Sequence, residues 1–268
     1  MILKKRALLV FWFVLNSFAL EHKEIVLIIP SYNNSAWCER NLNSVINQTY
    51  DNWSAVYIDD CSCDGTADAV HNYLLDHQTT HTITLIRNEQ RQGALYNLYH
   101  AITQCADDAI IITLDGDDWL AHDHVLERIN QIYNDASVWM TYGTYQIYPD
   151  ATLGSWHAID QSVIAANAFR QSTWISSHLR TFYASLFKRI ALNDLMHEGA
   201  FFSVTWDMAF MFPMLEMAGN HSRHVPEILY VYNQSNPIND YKVRLPLVLA
   251  MDKLIRSRAR YRPLENLL

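Results

Sequence analysis

Short aliphatic runs alternate with amphipathic stretches between residues 24 and 142, and this alternation narrows the possible folds more than any other feature. Residues 25–29 are a continuous β-branched and aliphatic run, the pattern of a strand buried on both faces. Further strands are expected at 54–58, 82–86, 109–114 and 138–142. Helices are expected between them at 35–46, 64–75, 94–105 and 122–133, the second capped by Asp64 or Thr66. Repetition at this spacing implies βαβ units with right-handed crossovers: an α/β fold with a mainly parallel sheet flanked by helices. Beyond Tyr148 the regularity fades. Residues 149–175 read as loops with one short helix, 184–190 and 206–217 as helices, and 225–232 as a strand. No Gly/Ser/Pro-rich linker separates the halves, so the second half is expected to pack against the sheet.

Open α/β sheets bind ligands at the carboxyl ends of their strands. Three polar clusters fall at such ends: Pro30-Ser31-Tyr32-Asn33, Asp59-Asp60 and Asp115-Gly116-Asp117-Asp118. Taken singly, each reads as readily as a turn or a helix cap. Together they should converge in space. Three carboxylates in four residues repel one another unless a cation or a ligand's donors compensate, and oxygen donors of this kind suit Mg²⁺ or Mn²⁺.

Composition removes some alternatives. A net charge of -8 argues against nucleic acid as the main ligand. Fifteen Tyr and eight Trp suit stacking on bases and sugars, although core packing is their commoner use. The four cysteines, Cys38, Cys61, Cys63 and Cys105, have no zinc-type spacing and are expected as buried or loop thiols.

Three stretches together, VLIIPSYN (26–33), YIDDCSCDGT (57–66) and ITLDGDDWL (112–120), resemble the family 2 glycosyltransferases, as does SVINQTY at 44–50. The resemblance is strong over 24–145 and looser over 170–235. It implies a GT-A fold (Rossmann-like, nucleotide-binding) and inverting sugar transfer from a nucleoside diphosphate sugar, UDP-sugars favoured. The acceptor would be a carbohydrate, lipid or protein. On this resemblance Pro30, Tyr32 and Asn33 line the nucleotide pocket, with Tyr32 near the base, which Asp60 contacts. Asp115 lies near ribose and metal, Asp117 is the direct ligand of Mn²⁺ or Mg²⁺, and Asp118 is a possible helper. Asp207 matches the family's general base, although Trp206 stands where Glu is usual. Tyr96 stands where Arg is common. Arg91 or a basic residue of the second half would then supply the phosphate contact. His178-Leu179-Arg180 reads equally as a site segment or a surface turn, HSRH at 221–224 as a solvated loop, and 230–240 as a polar loop able to act as a lid. The alternative readings are a nucleotidyltransferase, which lacks its Gly-rich phosphate loop here, and an inactive nucleotide-sugar or carbohydrate-binding module.

Four regions are expected. Residues 1–20 form a secretory signal peptide, a membrane anchor or an apolar arm, since Lys4-Lys5-Arg6 precedes a short apolar run. Residues 21–148 form the nucleotide-sugar half and 149–240 the acceptor and base half. Residues 241–268 form a basic amphipathic tail, able to lie on an anionic membrane, to help bind an anionic acceptor or to pack on the domain. Localisation is expected to be secreted or secretory-pathway luminal, with membrane association as the alternative. Asn33-Asn34-Ser35 is a glycosylation sequon within the expected pocket and is expected to be unmodified.

Overall fold

A computed structural model describes residues 20–154, 157–238 and 240–268; the expected signal or anchor lies outside them, except for an exposed Leu20. The chain runs β1 (Ile25–Ser31), α1 (Cys38–Ile46), β2 (Trp53–Asp59), α2 (Thr66–Asp76), β3 (Thr82–Arg87), α3 (Ala94–Gln104), β4 (Ile110–Thr113), β5 (Trp119–Leu120), α4 (Val125–Tyr133), β6 (Met140–Tyr148) and β7 (Thr152–Gly154). It continues through α5 (Gln161–Ala165), β8 (Arg180–Tyr183), α6 (Ala184–Lys188), the hairpin β9 (Met196–His197) and β10 (Ala200–Phe201), α7 (Trp206–Ala218), β11 (Ser222–Asn233), α8 (Asp240–Val243) and α9 (Leu245–Ser257).

The main sheet has the order β3-β2-β1-β4-β8-β6-β11-β5, with β7 on β6. Strands β3, β2, β1 and β4 are parallel, as the repetition requires. β1 lies between β2 and β4, so all seven of its residues are buried, whereas edge strand β3 keeps an alternating exposed face. Parallel order then breaks at β8, which runs antiparallel to both β4 and β6. Beyond it β6 and β11 are parallel, and β5 closes the edge antiparallel to β11.

Two expectations are corrected. Arg180 is not in a surface turn; it begins buried β8. Residues 222–224 are not a solvated loop but open β11, and His221 stacks on Trp139 at 3.7 Å. The cysteines are free thiols, Cys38 buried and Cys61 and Cys63 exposed.

Helix α7 is apolar on every side and buried from Met208 to Ala218, which identifies it as a core helix. Its one acid beyond the first turn, Glu216, is fully buried and meets Arg170 through bonds of 2.6 and 3.0 Å. The C-terminal segment wraps this pair. Ile255 O accepts from Arg170, and Tyr261 N–H donates to Glu216. The two halves thus share one sheet and one core. Among the described residues no helix is long and apolar enough to cross a membrane.

Candidate active site

The strand ends are pinned together by their own backbones. Asp60 N–H donates to Ser31 O (2.8 Å), Gly116 N–H to Pro30 O (3.1 Å) and Asn88 N–H to Asp59 O (2.9 Å). Gly116 lies so close to β1 that a Cβ there would stand 2.4 Å from Ser31 Oγ. A residue without a side chain is what lets Asp115 and Asp117 flank this point.

A cleft of about 890 Å³ opens above these ends. Pro30, Tyr32, Asp60, Arg91, Asp115, Asp117 and Asp207 all line it. Asn33 does not. Its backbone turns left-handed (φ 52°), and its side-chain oxygen accepts from Cys63 N–H at 2.9 Å, so it holds the neighbouring loop. Asn34 takes its place on the wall.

At one end the Arg91 guanidinium lies 3.7 Å over the Tyr32 ring, making a flat slab. Both Asp60 oxygens are engaged, by Asn88 Nδ2 and the N–H groups of Gln92 and Gly93, at 2.8–2.9 Å. Burial alone would raise this carboxyl. The donors outweigh burial and hold it below its ordinary value. Tyr96 packs edge-on against Phe201, away from the cleft.

The acidic loop carries three carboxylates in three states. Burial pushes Asp115 up, but His178 and Arg180 beside it more than reverse this, so it stays ionised. Asp117 is pushed up to about 6 by burial and by the Asp115 charge. Its Oδ2 accepts from Asn236 Nδ2 at 2.7 Å. Asp118 is raised well above its ordinary value by burial and by both neighbouring acids. It accepts from Tyr230 Oη (2.6 Å) and Asn233 N–H (2.7 Å), which ties the loop to the end of β11. Asp115, Asp118 and His178 each offer a ligand atom within 4.8 Å of the others.

His178 and Arg180 reach the cleft from the start of β8. The His178 ring is buried and stacks 4.5 Å from the Tyr230 ring. Burial, then the Arg180 charge, lowers its pKa and keeps it neutral. His178 Nε2 lies between Arg180 Nη2 at 2.7 Å and Asp115 Oδ2 at 3.4 Å, and its Nδ1 faces Ser177 Oγ at 3.0 Å. Arg180 also donates to Asp207 Oδ2 (3.1 Å), while its Nε and Nη1 are buried without a hydrogen-bond partner. Asp207 opens α7, and its other oxygen accepts Met208 N–H at 3.0 Å. The carboxylate is therefore fixed in orientation yet keeps free lone pairs toward the cleft.

Arg180 was visible only as one of two readings of its segment. Asn236, which bonds Asp117 across 119 positions, was reached only as part of the 230–240 loop and not as a residue.

Comparison with known proteins accords with this geometry. Residues 26–196 match glycosyl transferase family 2. A putative teichuronic acid biosynthesis glycosyltransferase of Bacillus subtilis is 32% identical over 94 residues, 35% of this chain and 36% of that one. A UDP-Glc:alpha-D-GlcNAc-diphosphoundecaprenol beta-1,3-glucosyltransferase of Escherichia coli is 31% identical over 124 residues, 46% of each chain. The matches thus span between a third and a half of these curated relatives. Among solved structures, a mannosyltransferase from Pyrobaculum calidifontis in complex with GDP-Man and Mn²⁺ superimposes with a TM-score of 0.62 at 19% identity, covering 90% of this chain and 66% of that one. S. aureus TarS in complex with UDP-GlcNAc gives 0.59 at 14% identity, covering 87% and 70%. These likenesses establish the GT-A fold, and the chain belongs to glycosyl transferase family 2.

Proposed function

We propose that this chain transfers a sugar from a nucleoside diphosphate sugar, UDP-sugars favoured, to an acceptor hydroxyl with inversion at the anomeric carbon. The observation that carries this reading is that Asp60, Asp115, Asp117 and Asp207, which come from both halves of the chain, face one cleft. The Tyr32–Arg91 slab is the place for the base, with Asp60 beside it. Asp115, kept ionised by His178 and Arg180, and Asp117, raised by burial and by the Asp115 charge, offer hard oxygen donors, a set that fits Mn²⁺ or Mg²⁺. A divalent ion held there would offset charge on the departing diphosphate. Arg180, with two unpartnered donors, would face the same phosphates.

Asp207 supplies the base. An acceptor hydroxyl gives its proton to the carboxylate while its oxygen attacks the anomeric carbon. The bond from that carbon to the diphosphate oxygen breaks on the opposite face, so configuration inverts. Arg180 and Met208 N–H hold the carboxylate for this proton transfer.

The test is a donor screen: the protein, Mn²⁺, a panel of nucleotide-sugars, and release of diphosphate as the readout. Release with one donor, suppressed by chelation, is the expected result. The absence of both binding and release with every donor would sink the proposal.

A further inference from the structure

Beyond the cleft, exposed large apolar side chains are unevenly distributed. Eleven are found among the described residues: Leu20, Leu75, Ile86, Leu153, Leu192 and Leu268 are scattered, while Ile238, Val243, Leu245, Leu247 and Leu249 fall within one short stretch. Val243 and Leu249 are each 59% exposed. Within residues 243–250 only Val248 is buried. Scattered surface apolar residues need no explanation, but a contiguous set of this kind does.

The stretch has a directed shape. Pro246 in the first turn of α9 sets where the helix begins. One face, through Val248 and Ile255, packs on the protein. Leu245, Leu249 and Lys253 recur every fourth residue and form a row on the exposed side. Residues 241–251 contain Lys242 and Arg244 and no acid, in a chain whose net charge is -8. The nearest acid that follows, Asp252, is held by Arg256 at 2.6 Å. A second copy of the chain meeting this face about a two-fold axis would set these cations against one another. A surface that is apolar within and anionic outside complements both features at once.

We propose that the exposed face from Lys242 to Lys253 docks on an anionic lipid bilayer, with Leu245, Leu247 and Leu249 in the headgroup boundary and Lys242 and Lys253 at the phosphate level, while half-buried Arg244 stays on Ser203. Ile238, Lys242, Arg244 and Val248 also line the cleft, so a docked molecule opens its cleft at the bilayer surface. Lys242 Nζ donates to Gln234 O and Asn236 O at 2.6 and 3.2 Å, which links the docking face to the loop that holds Asp117.

The experiment uses the full chain with vesicles of phosphatidylcholine alone, or with about one-third phosphatidylglycerol. Amide hydrogen exchange is read over residues 243–250, so that binding through any other part of the chain does not register. Exchange there should slow severalfold with anionic vesicles, less with neutral ones, and less again in high salt. Leu245→Glu/Leu249→Glu should abolish the protection and lower vesicle partitioning by roughly tenfold or more. Lys253→Glu should weaken binding to anionic vesicles only. Unchanged exchange with vesicles, equal protection in the double variant, or protection that grows with protein concentration without lipid would each overturn the proposal. No sugar donor is present, so its failure is separate from failure of the transferase reading.

Discussion

Asp117 sits between Asn236, which donates to one of its oxygens, and Asp115, whose charge raises it. Removing it relieves that repulsion but takes away a donor for a cation. Asp117→Ala should therefore abolish Mn²⁺-dependent binding of a nucleoside diphosphate by calorimetry, without loss of fold. Asp207→Asn keeps the shape and loses the base. It should spare donor binding and lower turnover by about a hundredfold to ten-thousandfold. A fully active Asp207→Asn would remove this residue from the mechanism. Arg180→Ala deletes the two buried unpartnered donors. Calorimetry should show UDP binding weakened by about tenfold to a hundredfold and uridine binding unchanged; an equal loss for both would mean a purely structural role. The cleft positions of Tyr32, Asp60, Asp115 and Asp117 were legible because each lies just past a strand that the chain's own periodicity marks. Asn33 misled because the left-handed turn that aims it at Cys63 has no signature separable from its neighbour Asn34. The loop of Asn236 was legible but the residue was not, because its bond to Asp117 is a tertiary contact.

At the scale of elements, β1 and β4 were readable because buried parallel strands write continuous apolar runs, and edge strand β3 because its residues alternate. Strand β8 was not. It has four residues, begins with an arginine and is set by pairing with β4 and β6 rather than by its own pattern. The start of β11 escaped for a similar reason: its polar residues are half-covered, His224 among them, and only register with β6 defines them as strand. Helix α7 was plain as an apolar run, but its counter-ion was not, since Arg170 lies 46 positions from Glu216. Both partners are almost completely buried, with 2% and 0% side-chain exposure. Arg170→Met should therefore leave Glu216 charged and unpaired, costing about 3–5 kcal/mol. In thermal denaturation this is a fall on the order of 10 °C. Adding Glu216→Met should restore much of it; failure to do so would mean that the ion pair is not the source.

For the molecule as a whole, the acidic loop makes stability depend on pH and on cations. Asp117 titrates at about 6 in the folded chain, against about 3.9 in an unfolded one. Between these values the folded state binds more protons, so this group destabilises the fold above about pH 6, and the penalty disappears as pH falls toward 4. In chelator, Asp117→Asn should accordingly melt higher than the parent at neutral pH, with the gap closing near pH 4. A gap that did not change with pH would contradict the assignment. Mn²⁺ should raise the melting temperature of the parent at neutral pH and do so less as protons compete for the same oxygens.

The bonds from Asn233 to Asp118 and from Asn236 to Asp117 join the loop after β4 to the end of β11 and the chain just beyond it. The part that would choose the donor is thus finished by the part that would choose the acceptor. A chimera spliced near residue 148, pairing this front half with a foreign back half, would inherit an unbraced acidic loop. Swapping specificities in this scaffold therefore calls for exchanging the residues around 233–236 together with the loop at 115–118, and recombination between family members would be expected to respect that linkage.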